Sequence, residues 1–239
     1  MIIWEKMTDR FINSDHLPQV LNIFPELSVM TWNILKRCTY HEKPRNFFNN
    51  GFGIVESEYD YHVRLKKLAN EIYSIISHNT AIKCIALQEI PVSLDLELFK
   101  THLKFLLPNF DIMTNHTQGF LFDRDEITIE NNTSDLIDKI GKTPHKIQSV
   151  TAKTSDGDIN FINVHLCWFK SYNSRLDSIK KILQIIQNRT IILGDFNFNI
   201  LDVKIPWVTK NSEINTTLCH VGDGVQTLQT CDGFLIYDR

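Results

Sequence analysis

A chain of 239 residues can bury one sizeable core, and a single domain spanning 1–239 is the expected organisation. Hydrophobic residues make up 43% and charged residues 22%, as in folded globular proteins, and a net charge of −3 excludes a globally basic scaffold that coats nucleic acid. The five cysteines are odd in number, widely spaced and without a CxxC pair, which excludes a disulfide framework or a cysteine zinc site and points to reduced thiols in the cytoplasm.

No apolar run reaches membrane-spanning length, and Met1-Ile2-Ile3-Trp4-Glu5-Lys6 does not read as a signal peptide. Near the N-terminus, Ser14-Asp15-His16-Leu17-Pro18 precedes Gln19-Val20-Leu21-Asn22-Ile23. The stretch from Leu27 to Leu35 alternates and is rich in strand formers, predicting a strand that ends near Asn33. Cys38 to Tyr61 is a long polar and aromatic connection, of a length that is often functional in compact domains. From Tyr61 to His78, Leu65, Leu68, Ile72, Ile75 and Ile76 keep helical spacing, with Arg64, Lys66, Lys67 and Glu71 expected on a solvated face. The run Cys84 to Leu87 ends in Gln88-Glu89, where a carboxylate is costly unless paired or bound to a metal. Leu94 to Leu107 reads as a second helix stopped by Pro108.

Phe110 to Thr114 and Gly119 to Ile129 read as strands, and Glu130-Asn131-Asn132-Thr133-Ser134 as a surface loop. Ile147 to Lys153 and Ile159 to Leu166 flank Ser155-Asp156-Gly157, a hairpin signal that leaves His165 at a strand end. Leu176, Ile179, Ile182, Leu183 and Ile186 mark a third helix. It leads into a buried strand, Ile191 to Leu193, followed by Gly194-Asp195-Phe196-Asn197. A period of two there puts Asp195 and Asn197 on one face; an ordinary Asp/Asn turn is the alternative. Asp232 opens a final apolar strand, Gly233 to Tyr237.

Strands thus deliver Asn33, Glu89, His165, Asp195, Asn197 and Asp232 at or near their ends, with helices between the strand groups. That pattern predicts an α/β fold, a four-layer α/β/β/α sandwich of two mainly antiparallel sheets with outer helices and a site at one rim. Thr31-Trp32-Asn33, Leu87-Gln88-Glu89, Asn163-Val164-His165-Leu166, Gly194-Asp195-Phe196-Asn197 and Asp232-Gly233-Phe234-Leu235-Ile236 together resemble the ordered motifs of the endonuclease/exonuclease/phosphatase family. The family includes deoxyribonuclease I, AP endonucleases, deadenylases, neutral sphingomyelinases and inositol polyphosphate 5-phosphatases. Its last motif, Ser-Asp-His, is similar to Ser14-Asp15-His16, which stands ahead of the others. The resemblance therefore implies a circular permutation, in which joining Arg239 to Met1 restores the family's order; the alternative is that Ser14-Asp15-His16 is an N-terminal turn and the site is incomplete and inactive.

The chemistry follows from residue type and from that resemblance. A hard divalent cation prefers oxygen ligands, and the candidates are Glu89, with Asn33 assisting and Asp15 as a second carboxylate. The expected cofactor is Mg²⁺, with Mn²⁺ as the alternative. Asp195 would accept a proton from the attacking water or orient it, and Asn197 would help hold phosphate or nucleophile. His16 and His165 would contact non-bridging phosphate oxygens, and Asp232 would orient His16. The implied function is a metal-dependent nuclease or phosphodiesterase, favouring single-stranded nucleic acid, RNA or DNA. For RNA, bases would stack on loop aromatics such as Phe47, Phe48, Phe52 or Trp168, while core or surface packing is the commoner role for any one of them. Leu35, His165 and Arg64 look more like the deadenylase branch than the AP endonuclease type. The alternatives are a phosphoinositide or sphingomyelin phosphoesterase acting on lipid, and a non-catalytic binding module that keeps the fold.

Overall fold

Period-two alternation builds two sheets that share one apolar interior. The computed structural model describes residues 14, 16–35, 57–140, 143–166, 171–186, 189–202, 209–211, 217–221, 225–229 and 231–237. The first sheet holds β1 (Gln19–Phe24), β2 (Leu27–Asn33), β3 (Ile82–Gln88), β4 (Phe110–Asn115) and β5 (Gln118–Asp123) in the order β1-β2-β3-β5-β4. Its β2–β3 pair is parallel and its other pairs are antiparallel. Next in the chain come β6 (Thr128–Ile140), β7 (Thr143–Thr154), β8 (Gly157–His165), β9 (Thr190–Asp195) and β10 (Thr209–Asn211). A separate two-stranded hairpin of β11 (Thr217–Val221) and β12 (Val225–Gln229) precedes β13 (Asp232–Tyr237). The second sheet runs β10-β13-β9-β8-β7-β6, with β8–β9 parallel and the rest antiparallel.

Between the sheets lie Val29 of β2, Cys84 and Ala86 of β3, Phe120 of β5, Val150 and Ala152 of β7, Ile159 and Phe161 of β8, Ile191 and Leu193 of β9 and Phe234 of β13. The alternate positions face outward. Met30, Trp32, Ile85 and Leu87 pack against α1 (Glu58–His78) and α2 (Ser93–Leu106). Ile162, Val164, Ile192 and Leu235 pack against α3 (Tyr172–Ile185). Three apolar interiors therefore separate four layers, the α/β/β/α sandwich that the alternation predicts. Both α1 and α3 start on a serine cap: Ser57 Oγ accepts from the Asp60 N–H at 3.1 Å, and Ser171 Oγ from the Ser174 N–H at 3.3 Å.

Three expectations need correction. The predicted strand from Gly119 to Ile129 is two strands, because the chain turns at 124–126, where the Ile127 N–H reaches the Asp123 carbonyl at 2.9 Å, and leaves the first sheet for the second. The asparagine-rich run 130–134 is part of β6, not a loop; β6 is an edge strand, so its polar residues meet solvent while its backbone pairs with β7. Arg64 is buried, not solvated: Nη1 donates to the Ile34 carbonyl at 3.1 Å and the guanidinium lies 5.0 Å from the Tyr61 ring centre. The strands β10, β11 and β12 carry no alternation that predicts them. Cys84 and Cys231 are free and buried, and burial pushes the Cys84 thiol up to about 12.

Gly194 is where β9 approaches its parallel neighbour most closely. Its φ is +144°, and a Cβ there would lie 2.0 Å from the Val164 carbonyl oxygen, a backbone atom that cannot move without breaking the β8–β9 ladder. Gly194→Ala is expected to destabilise the protein by more than about 3 kcal/mol, read as a lowered midpoint in urea unfolding.

Candidate active site

Followed toward one end of the sandwich, the inward-facing positions turn from apolar to polar. In β2 the inward series is Val29, Thr31, Asn33; in β3 it is Cys84, Ala86, Gln88; in β8 it is Ile159, Phe161, Asn163, His165; in β9 it is Ile191, Leu193, Asp195. The strand β13 runs antiparallel to β9 and pairs Asp232 with Asp195, so its first residue arrives at the same rim. Alternation alone brings Asn33, His165, Asp195 and Asp232 into one place, from four strands of two sheets.

Glu89 and Asn197 arrive by another device. Glu89 follows the inward residue Gln88, and regular strand geometry would turn it outward; its φ of +55° breaks the alternation and aims both residues at the site. β9 ends at Asp195, so Asn197 reaches the site through a turn and not through the expected strand period. With φ at +54°, its N–H donates to Asp195 Oδ1 at 2.8 Å and its amide nitrogen donates to Asp195 Oδ2 at 3.0 Å and to the Leu166 carbonyl at 2.8 Å. This is the Asx turn that the alternative reading describes, and it serves the site.

The N-terminal segment docks onto β2. Ser14 Oγ donates to the Asn33 carbonyl at 2.6 Å and accepts from the His16 N–H at 3.2 Å, and Trp32 Nε1 donates to the His16 carbonyl at 2.9 Å. His16 is thereby held between two carboxylates, with Nδ1 2.9 Å from Asp232 Oδ2 and Nε2 3.8 Å from Asp195 Oδ2. Asn33 Nδ2 bridges Glu89 Oε1 at 3.2 Å and Asp195 Oδ2 at 3.1 Å, while the Leu35 N–H holds its oxygen at 3.1 Å. His165 Nε2 stands 3.6 Å from both Glu89 Oε1 and Asp195 Oδ2.

Asp195 is the focus of this arrangement. Burial is the main force on its carboxyl and pushes it up to about 6; the neighbouring Asp232 adds to the rise, while His16, His165 and the Asn197 N–H oppose it. A carboxylate poised there can hold or release a proton near neutrality.

Part of this cluster could hold a metal ion. His16, Asp195 and Asp232 place three ligand atoms within 4.8 Å of one another. Within it, His16 Nδ1 and Asp232 Oδ2 are at hydrogen-bond distance, and His16 Nε2 lies 3.8 Å from Asp195 Oδ2. Glu89 offers a carboxylate at the mouth, 20% exposed against 1% for Asp195.

Of the residues expected from sequence, Asn33, Glu89, His16, His165, Asp195, Asn197 and Asp232 lie in this cluster. Asp15, Phe47, Phe48, Phe52 and Trp168 lie outside the described residues. Sequence reasoning missed the buried amides beneath the site, Gln88, Gln118, Gln148 and Asn163. The signal is present in Leu87-Gln88-Glu89 and Asn163-Val164-His165, where an amide stands one residue before Glu89 and two before His165.

No family model and no curated protein sequence matches the chain. Solved structures match it by fold. D. rerio TDP2 complexed with a single-strand DNA product gives a TM-score of 0.61 at 13% identity, over 89% of this chain and 84% of that one. An endonuclease/exonuclease/phosphatase family protein from Bacteroides thetaiotaomicron gives 0.59 at 13% identity, over 93% of this chain and 83% of that one. A family protein from Leptotrichia buccalis gives 0.51 at 14% identity, over 88% and 87%. Among the described residues, no helix is long and apolar enough to cross a membrane. This chain carries the fold of the endonuclease/exonuclease/phosphatase proteins.

Proposed function

We propose that the protein is a divalent-metal-dependent phosphodiesterase that cleaves a nucleic acid backbone by direct attack of water, single-stranded nucleic acid being the favoured substrate. The observation that carries this reading is the surroundings of Asp195: a buried carboxylate with its proton affinity raised to about 6, two amide donors on one oxygen and two imidazoles within 4 Å. Such a group can take a proton from water only where its neighbours hold that water against an electrophile. His16 and His165 present ring nitrogens to the same space, suited to the oxygens of a phosphate. Asp232 fixes the orientation of His16 through Nδ1, and Asn33 and Asn197 lock the Asp195 carboxylate in place.

Glu89 would hold the cation, with Asn33 beside it. Bound Mg²⁺ or Mn²⁺ supplies Lewis-acid stabilisation of phosphate charge. The D. rerio TDP2 structure contains a single-strand DNA product, and the shared fold is the reason to favour that substrate class over lipid.

Labelled single-stranded RNA, single-stranded DNA, duplex DNA and phosphoinositide vesicles, each with Mg²⁺ or EDTA, test the reading. Cleavage of a single-stranded nucleic acid is expected with metal, falling about 10²–10⁴-fold in Asp195→Asn and in His16→Ala. Turnover of phosphoinositide alone would move the assignment to lipid, and no turnover of any substrate would favour a binding module.

The raised Asp195 carboxyl has a consequence for stability. Between its ordinary 3.8 and about 6, the folded protein holds a proton that the unfolded chain has released, so its contribution to stability falls as pH rises through that window. In EDTA, the stability difference between wild type and Asp195→Asn is expected to shift toward the variant from pH 4.5 to pH 7, measured by urea unfolding at each pH.

We infer further that the chain is circularly permuted relative to the usual order of the fold. His16 precedes β1, and β1 pairs with β2 in a hairpin through Pro25 and Glu26. Opening the chain at that turn and joining Arg239 to Met1 would place Ser14-Asp15-His16 after β13. A chain rearranged in this way is expected to fold and keep its activity within about tenfold; an unfolded or inactive product would count against the permutation.

A further inference from the structure

The two halves of the site sit on different sheets, and apolar contact between sheets does not by itself fix their sliding position. Asn33 and Glu89 belong to the first sheet, while His165, Asp195 and Asp232 belong to the second. One layer beneath them, buried amides cross the gap. Gln88 Nε2 donates to Asn163 Oδ1 at 2.8 Å and to Thr31 Oγ1 at 3.1 Å. Asn163 Nδ2 donates to the carbonyls of Leu87 at 3.0 Å and Gly119 at 3.1 Å, which are paired residues of β3 and β5. Gln118 Nε2 donates back to the Asn163 carbonyl at 3.1 Å. All four side chains are nearly or fully buried.

We infer that this amide bridge is a register lock, and that Gln88 and Asn163 are positioning residues for catalysis. Gln88 immediately precedes Glu89, and Asn163 stands two residues before His165 on the same face of β8. The 2.8 Å contact between the two amides therefore sets the offset between the strand that carries Glu89 and the strand that carries His165. The 3.6 Å spacing of Glu89 and His165 and the 3.1 Å bridge from Asn33 to Asp195 both span the same gap and depend on that offset. Hydrogen bonds are directional where apolar contacts are not, so the bridge supplies a constraint that the interior below it lacks.

The test uses the full chain with Gln88→Met, which keeps the side-chain length and removes the donor, and with Asn163→Leu and the double variant. Thr151→Val serves as a control: Thr151 Oγ1 donates to Asn160 Oδ1 at 2.9 Å between β7 and β8, inside one sheet and away from the rim. For Gln88→Met, kcat is expected to fall at least about tenfold while KM changes less than about threefold. The double variant is expected to match Asn163→Leu, since Gln88 reaches the second sheet through its bond to Asn163. Thr151→Val is expected to lose stability in urea with kcat unchanged. This kinetic arm rests on the phosphodiesterase reading.

A second arm does not. In imidazole ¹⁵N NMR of the unliganded protein, the His165 resonances are expected to move in Gln88→Met and to stay in place in Thr151→Val. Unmoved His165 resonances would overturn the inference, whatever the activity. So would losses in kcat that multiply in the double variant. If Asn163→Leu fails to fold, Gln88→Met alone decides the outcome through the NMR arm.

Discussion

Every polar group of this site faces a gap between two sheets, where a buried donor or acceptor without a partner costs about 1–3 kcal/mol. That constraint organises the structure. Moving along the gap, the filling changes from apolar side chains around Phe120 and Phe161, to the amides Gln88, Gln118, Gln148 and Asn163, and then to the charged layer of His16, His165, Asp195 and Asp232. Each layer prepares the next. The apolar layer excludes water and holds the sheets together. The amide layer is polar enough to border charges and neutral enough to sit on hydrocarbon. The charged layer meets the opening above it; there Asn33 and Asn197 donate to the Asp195 carboxylate, while burial lowers its acidity.

The same constraint explains why strained backbone gathers at the rim. Strand alternation supplies one inward side chain for every two residues, and a site that needs more must break the pattern. Leu35, Glu89 and Asn197 all have φ between 54° and 55°. Asparagine tolerates that region readily, whereas leucine and glutamate carry about 1 kcal/mol or more of strain. At Glu89 the strain doubles the yield of one strand end, since Gln88 enters the amide layer while Glu89 enters the charged layer. At Asn197 it closes a turn around the Asp195 carboxylate. These conformations are held by hydrogen bonds to neighbours that are themselves fixed, which is how local strain persists in a native state.

Much of this was legible before any coordinates. The alternation in Leu27–Asn33 and the apolar runs ending at Gln88, His165 and Asp195 announce strands with polar ends, and helical spacing between the strand groups along the chain announces a sandwich with outer helices. Residues that break periodicity were harder to read. Arg64 sits among lysines on a helix and looks solvated, because nothing in the spacing reveals the Ile34 carbonyl and Tyr61 ring that take it in. The edge strand over Glu130–Ser134 is polar because its side chains meet solvent, so it imitates a loop. Asn197 reaches the face that a period of two predicts, but a turn and not a strand delivers it. The amides escaped notice because glutamine and asparagine in a strand look neutral until the facing sheet is known.

Chain order matters less to such a site than the geometry of its ends. His16 lies 216 positions from Asp232 in sequence, yet the two are joined at 2.9 Å. The segment carrying His16 is anchored by Ser14 and by Trp32 Nε1 to the strand that ends at Asn33. Ladder contacts and short polar bonds carry all of the precision here, and none of them senses whether the connecting backbone runs through one loop or another. A histidine ahead of the first strand is therefore held between carboxylates supplied by β9 and β13, with Nδ1 2.9 Å from Asp232 and Nε2 3.8 Å from Asp195.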